Sequence, residues 1–175
     1  MAYSTENILF TIGHSSRSSE EFVAMLQSFS IEQLADIRRF PGSRKFPQFN
    51  KENLEILLPE KAIKYTHFEA LGGRREAAPN STNTSWRNDF FRGYTDYMET
   101  DIFKEEVDKL SQLATNKRVV LMCSEALWWR CHRSMISDYF KVKAWKVMHI
   151  MGEGKWQEHP YTQPAKVVDG ELTYK

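Results

Sequence analysis

The amino-acid sequence predicts a single α/β domain spanning residues 1–175, with a mostly parallel sheet of about five strands flanked by helices and a C-terminal β-hairpin. Two observations predict this class. Short apolar runs rich in β-branched residues alternate along the chain with segments whose apolar residues recur at helical spacing. The length of 175 residues, with 41% hydrophobic and 27% charged residues, is that of one soluble globular domain.

The order of the predicted elements follows directly from these runs. The strands have short apolar sequences and are predicted over residues 8–12, 31–37, 63–71, 119–122 and 146–150. The helices have apolar residues at helical spacing and are predicted over residues 19–29, 50–58, 86–113 and 131–142. Pro and Gly residues within residues 38–49 predict a loop, and the polar residues 76–85 predict a second one.

Capping and turn residues place several boundaries of these elements. Ser18, with Glu21 three residues later, forms a capping box that starts the first helix. The segment 86–113 is long enough for one helix or two, with Gly93 or Thr100 as the break. An Asp-Gly pair at residues 169–170 predicts the turn of the C-terminal hairpin.

Composition and charge exclude several classes of protein. A net charge of +1 excludes a globally basic binder of polyanions, although a local basic patch stays open. No apolar run approaches the ~20 residues of a membrane span, and the N-terminus lacks the features of a signal peptide, so we expect a cytoplasmic protein. Two cysteines make no disulfide framework, and both are expected to be thiols.

Polar and glycine residues follow every predicted strand. In parallel sheets, ligands bind beyond the carboxyl ends of the strands. The residues expected at this edge are His14 and Ser15; Asp36 and Arg38; Gly72, Gly73 and Arg74; Cys123, Ser124 and Glu125; and His149 or the glycine turn at residues 152–154. We therefore expect a functional site there, whereas His159 is expected at the surface without a role.

The segment 119–133, VVLMCSEALWWRCHR, concentrates the reactive side chains. Cys131 lies near a predicted helix N-terminus between two arginines, and both features lower the pKa of a thiol. Cys123 lies at a strand end, a usual position for a nucleophile. Core packing is the alternative for both thiols, because free cysteines are often buried. A third possibility makes Glu125 the general base or nucleophile.

Two known kinds of site fit this segment poorly. Six residues separate Cys123 from Arg130, whereas cysteine phosphatases have five, and the loop lacks glycine. A metal site of Cys123, Cys131 and His132, with or without His14, lacks zinc-finger spacing and has arginines beside it. No metal is therefore predicted, and the cofactor stays open.

Three functions remain as hypotheses. The first is a hydrolase or transferase acting on a phosphate-bearing small molecule, a nucleotide or nucleic acid. Arg38 and Arg133 would then bind the anion, Glu125 or His14 would transfer protons, and the thiols would be nucleophiles. The second is a nucleic-acid-binding module without catalysis, using the basic and aromatic residues 38–49. The third is a thiol- or metal-dependent sensor.

The motifs resemble those of the DUF488 family of uncharacterised bacterial and archaeal proteins. The resemblance rests on Thr11–Ser15, Asp36–Arg38 with Pro41 and Ser43, Leu71–Gly73, Cys123–Glu125, Cys131–Arg133 and His149-Ile150. It implies an α/β fold and a shared site but no established reaction. The motif positions that it implies for the site are His14, Asp36, Arg38, Gly72, Gly73, Cys123, Glu125, Cys131, His132 and Arg133.

Overall fold

The structure is a computed structural model that describes residues 5–175. Its strands are β1 (Ile8–Gly13), β2 (Gln33–Asp36), β3 (Lys64–His67), β4 (Val119–Cys123), β5 (Lys146–Gly152), β6 (Lys155–Glu158), β7 (Lys166–Val168) and β8 (Glu171–Thr173). The first six form one sheet in the order β3-β2-β4-β1-β5-β6, in which β6 is antiparallel to its neighbour. The mostly parallel sheet and the C-terminal hairpin, β7-β8, confirm the predicted fold class.

Five helices cover the two faces of the sheet. They are α1 (Ser19–Ser28), α2 (Lys51–Glu60), α3 (Asp89–Met98), α4 (Asp101–Asn116) and α5 (Arg133–Val142). Helices α1 and α2 pack on one face, where Phe22 and Leu54 contact a core that includes Ile12. Helices α3, α4 and α5 pack on the other face with Leu9 and Leu121. Successive residues of a buried strand therefore supply two separate cores.

Strands β1 and β4 lie side by side at the centre of the sheet, with Gly13 opposite Cys123. The chain leaves β1 through α1 over one face, and it leaves β4 through α5 over the other face. A change of direction between neighbouring strands leaves a crevice at their carboxyl ends. The fold thus places a crevice beside His14 and Cys123.

Several element boundaries differ from the prediction. Strand β3 ends at His67, because Glu69–Leu71 turns into a 3₁₀ helix. Strand β6 was not predicted; its four residues are all exposed and show no apolar face. Helix α5 begins at Arg133, two residues later than predicted. The predicted hairpin turn is present, with Asp169 and Gly170 both at positive φ.

The long segment after residue 86 forms two helices, which resolves the alternatives left by the sequence. The Thr100 hydroxyl accepts a hydrogen bond from the Phe103 amide at 3.3 Å, so it caps α4 and marks the break. Gly93 lies inside α3 instead. A Cβ at Gly93 would stand 2.1 Å from the Arg75 carbonyl oxygen, so this glycine permits close packing of the preceding loop.

A buried polar network ties the C-terminal segment to α5. The Asp138 carboxylate accepts hydrogen bonds from His159 Nε2 and the Tyr174 hydroxyl, each at 2.8 Å, and from Thr162. His159 also contacts His149 Nε2 at 2.8 Å. The expectation that His159 is at the surface was therefore wrong. The unpredicted strand β6 turns the chain back over β5 and buries this ring.

Among residues 5–175, no helix combines the length and the apolar character that crossing a bilayer requires. The first four residues, which belong to the segment expected to carry no signal peptide, lie outside the described residues.

Replacing Gly13 with alanine should destabilise the fold. A Cβ at Gly13 would lie 1.8 Å from the Glu125 carbonyl oxygen, so the loop after β4 would have to move. We expect Gly13→Ala to lower the free energy of unfolding by about 2–3 kcal/mol, measured by urea denaturation. Gly42→Ala is the matched control, because a Cβ there meets nothing closer than 3.9 Å. Equal stability of the two variants would contradict this account.

Acid should destabilise the protein through His149. Burial, with the charges of His159 and Arg133, lowers the pKa of His149 from 6.5 to about 2. The folded protein therefore keeps this ring neutral while the unfolded chain takes up a proton, so stability falls as the pH falls below 6.5. We expect His149 to contribute a loss of about 2 kcal/mol between pH 7 and pH 5. His149→Gln should make the pH dependence shallower by that amount in urea denaturation, and an unchanged slope would refute the assignment.

Candidate functional site

A cavity of 840 Å³ opens at the carboxyl ends of β1, β2 and β4. Loops after these three strands form most of its wall, and the loop after β3, with Gly73 and Arg74, and helix α3 contribute the remainder. Seven of the predicted site residues line it: His14, Arg38, Gly73, Cys123, Glu125, Cys131 and His132. The other three predicted residues are buried behind this wall: Asp36, Gly72 and Arg133.

The two thiols meet at the floor of this cavity. Cys123 ends β4, Cys131 lies two residues before α5, and their Sγ atoms are 2.8 Å apart. Burial raises the pKa of Cys123 well above its ordinary value. Burial also opposes ionisation of Cys131, but the hydrogen bond with Cys123 and the charge of Arg133 outweigh it and lower the pKa of Cys131. Of the two thiols, Cys131 is therefore the one that ionises at the lower pH.

Arg133 supplies the positive charge beneath the thiols. It is 1% exposed, and its guanidinium donates to Cys123 Sγ at 3.4 Å and to the Ala126 carbonyl at 2.9 Å. Among the described residues it forms no ion pair with a carboxylate, and its Nε has no hydrogen-bond partner. A buried charge requires a counterion. The two thiols are the ionisable groups in contact with Arg133: its guanidinium touches Cys123 Sγ, and its backbone amide donates to Cys131 Sγ at 3.5 Å.

His132 lies beside the reactive thiol. Its Nε2 is 3.0 Å from the Ile37 carbonyl oxygen, which can only accept, so Nε2 carries the proton. The unprotonated Nδ1 lies 3.6 Å from Cys131 Sγ. Burial lowers the pKa of His132, which keeps this lone pair available. Gly73 packs directly on the ring, since a Cβ there would be 2.8 Å from Nδ1.

Asp36 and Arg38 form a buried ion pair that supports the wall. Arg38 donates to both carboxylate oxygens, at 2.9 and 2.7 Å, and Tyr65 donates to the same carboxylate. The remaining Arg38 nitrogen, Nη1, lies 3.4 Å from His14 Nε2. The carboxylate of Asp36 therefore already accepts hydrogen bonds from two of the three guanidinium nitrogens of Arg38. A substrate anion would meet Arg38 through Nη1 alone.

His14 and Glu125 are the two residues predicted to transfer protons. They differ in how far their polar atoms are already engaged in hydrogen bonds within the protein. His14 Nδ1 donates to the Ser15 carbonyl at 2.8 Å, its Nε2 accepts from Arg38, and its ring stacks on Phe49. Burial lowers its pKa to about 4, so it is neutral at pH 7. Glu125 is half-buried on the cavity wall, with one long hydrogen bond of 3.4 Å from the Leu127 amide. Its carboxylate is thus the freer of the two groups.

Sequence reasoning missed the contribution of α3. Phe90, Phe91 and Tyr94 line the cavity, and Tyr94 packs against His132 with ring centroids 5.0 Å apart. Their helical spacing indicates only an apolar helix face, so nothing local identifies them as part of a site. Among residues 5–175, no three His, Cys, Asp or Glu side chains are grouped as metal ligands.

The chain matches one family of known proteins over most of its length. The model of the domain of unknown function DUF488 matches residues 18–140, well over half of the chain. The chain belongs to the DUF488 family. The match includes both thiols of this DUF488 protein and Arg133, whereas His14 and the C-terminal segment lie outside it. No curated protein and no solved structure matched the chain.

The opposite pKa shifts of Cys123 and Cys131 predict unequal thiol reactivity. Iodoacetamide should modify Cys131 at a pH below the ordinary thiol range and spare Cys123, with the labelled sites mapped by mass spectrometry. Cys123→Ala removes the hydrogen-bond partner that lowers the pKa of Cys131 and should raise the pH at half-maximal labelling, whereas Cys123→Ser keeps a hydroxyl partner and should raise it less. Simultaneous labelling of both thiols in the ordinary range would contradict the assignment.

Proposed function

We propose that this DUF488 protein is a thiol-dependent hydrolase or transferase acting on a phosphate-bearing small molecule, a nucleotide or nucleic acid. The observation that carries the proposal is the position of Cys131 at the floor of an open cavity, where the Arg133 backbone amide and His132 Nδ1 lie 3.5 and 3.6 Å from its Sγ and its pKa is lowered. A thiolate is the nucleophilic form of cysteine. Its placement at the crevice between β1 and β4 is where ligands bind in sheets of this kind.

The charge of the cavity wall supports an anionic substrate. Four exposed cations line it: Arg39, Lys45, Arg74 and Arg130. None of the four forms an ion pair within the described part of the chain. Glu125 is the one acidic residue among the described residues on this wall. Although the whole protein carries a net charge of only +1, the cavity concentrates positive potential and attracts anions.

In the proposed reaction, the Cys131 thiolate attacks phosphorus. A sulfur–phosphorus bond forms while the bond to the leaving oxygen breaks, and that oxygen takes a proton from the Glu125 carboxyl. Water then gives a proton to the Glu125 carboxylate and cleaves the sulfur–phosphorus bond, which restores the thiolate. An acceptor alcohol in place of water gives group transfer. His14 stays neutral and helps to hold Arg38 in place.

Release of nitrophenolate tests this proposal with defined probes. They are para-nitrophenyl phosphate, its bis ester, and the para-nitrophenyl ester of thymidine monophosphate. We expect turnover of at least one probe, with Cys131→Ser lowering kcat/KM by about 1,000-fold, because serine is a far weaker nucleophile at neutral pH. Glu125→Gln should lower kcat by about 100-fold.

Glu153→Gln is the control, because Glu153 is exposed in the turn between β5 and β6, away from the cavity. Melting temperatures of the variants separate loss of chemistry from loss of fold. Turnover by Cys131→Ser at the wild-type rate, or no turnover of any probe by the wild-type protein, would overturn the proposal.

A further inference from the structure

We infer that the substrate of this site is a single-stranded nucleic acid, an inference that rests on the proposed function and narrows its substrate class. Two phenylalanine rings at the cavity mouth are the first reason. Phe40, in the loop after β2, is 64% exposed, and Phe90, in the first turn of α3, is 58% exposed. Rings on separate elements, both open to solvent, are surfaces on which successive bases stack.

Cations and aromatic rings lie side by side at the cavity mouth. The Arg39 guanidinium lies 5.6 Å from the centroid of the Phe40 ring, and the Lys45 amine lies 5.4 Å from that of Phe46. Arg39 also donates to the Arg74 carbonyl at 3.0 Å, which joins the two basic loops. Arg130 adds a cation from the third loop. Charges spread over three loops fit a run of phosphates better than one phosphate group.

The second reason is the backbone conformation of Arg74, which has a positive φ. Six non-glycine residues among those described have positive φ. Ser30, Ala62 and Ala144 follow the ends of helices, and Asp169 lies in the hairpin turn, where this conformation is usual. The other two, Ser15 at φ 50° and Arg74 at φ 58°, end no helix and lie in no hairpin, and both belong to loops that line the cavity. Unexplained strain of this kind is concentrated at functional sites, and here it directs a charged residue to the mouth.

The depth of the thiols favours a single strand over a duplex. Cys123 is 2% exposed and Cys131 is 7% exposed, so the reacting atom must enter the cavity. In a duplex the bases are held in the stack and the sugar-phosphate backbone follows a wide, regular helix, whereas a single strand can turn one nucleotide and its phosphate inward. The volume of 840 Å³ is near the upper end of the ~300–1,000 Å³ of small-ligand sites, enough for one nucleotide and part of the next.

Fluorescence anisotropy tests the inference with fluorescein-labelled oligothymidylate and oligouridylate of about twelve nucleotides. The full chain with Cys131→Ser is used alongside wild type, so that binding is measured without turnover. We expect both single strands, or one of them, to bind with an affinity that falls steeply with added salt. A duplex of the same length should bind at least 10-fold more weakly, and thymidine monophosphate should compete only weakly.

The variants separate stacking from non-specific attraction. Phe40→Ala with Phe90→Ala should weaken binding about 10- to 100-fold. Ile56→Ala with Ile102→Ala is the matched control, because both isoleucines are similarly exposed but lie on α2 and α4. Arg74→Gly should weaken binding several-fold and reduce the salt dependence by about one phosphate contact without lowering the melting temperature. Lys104→Ala, on exposed α4, should change neither.

The outcomes distinguish this inference from the function on which it rests. Preferential binding of single strands together with no turnover of any nitrophenyl probe supports the binding of single strands at this site and overturns the proposed function. Turnover of nucleotide probes without preferential binding of single strands overturns the inference alone. Equal binding of the duplex, salt-independent binding, or equal losses in the isoleucine control also overturn it.

Discussion

The guanidinium of Arg133 imposes a charge constraint on the whole site. It is buried at the start of α5, makes hydrogen bonds to Cys123 and Ala126, and among residues 5–175 forms no ion pair with a carboxylate. Taking a positive charge out of water is costly unless a negative group compensates it. The thiols are the ionisable groups in contact with Arg133, and its charge lowers the pKa of Cys131. The contacts to Cys123 and Ala126 also join the start of α5 to the end of β4 and the loop that follows it.

The sheet supplies the geometry that this electrostatic arrangement needs. Because β1 and β4 are adjacent and their connections leave over opposite faces, their carboxyl ends enclose a crevice with no helix across it. The His14 amide donates to the Cys123 carbonyl at 2.9 Å, which extends the pairing of the two strands to the edge of the site. The ion pair of Asp36 and Arg38 fixes the next strand end in the same way. The floor is therefore rigid and buried, whereas the mouth is made of exposed loops.

Much of this arrangement could be predicted from the sequence, because it follows from local patterns. Apolar runs mark the buried strands, and parallel strands bring their carboxyl ends to one edge, which grouped seven of the predicted residues on one wall. What could not be predicted depends on contacts between distant segments. Strand β6 has no apolar face, so no pattern in the sequence indicates this strand or the burial of His159, which directly follows it. Arg133 was expected to face an anion, since nothing in a helical pattern indicates that a charged residue lies under two thiols.

The position of Arg133 beneath the two sulfurs also bears on how they respond to oxidants. A disulfide between Cys123 and Cys131 would carry no charge and could not ionise, so the buried guanidinium would lose the ionisable groups in contact with it. The electrostatics of the core therefore oppose the disulfide, because a thiol can ionise and compensate the charge. Close approach of two sulfurs is not by itself a sign of a stable crosslink.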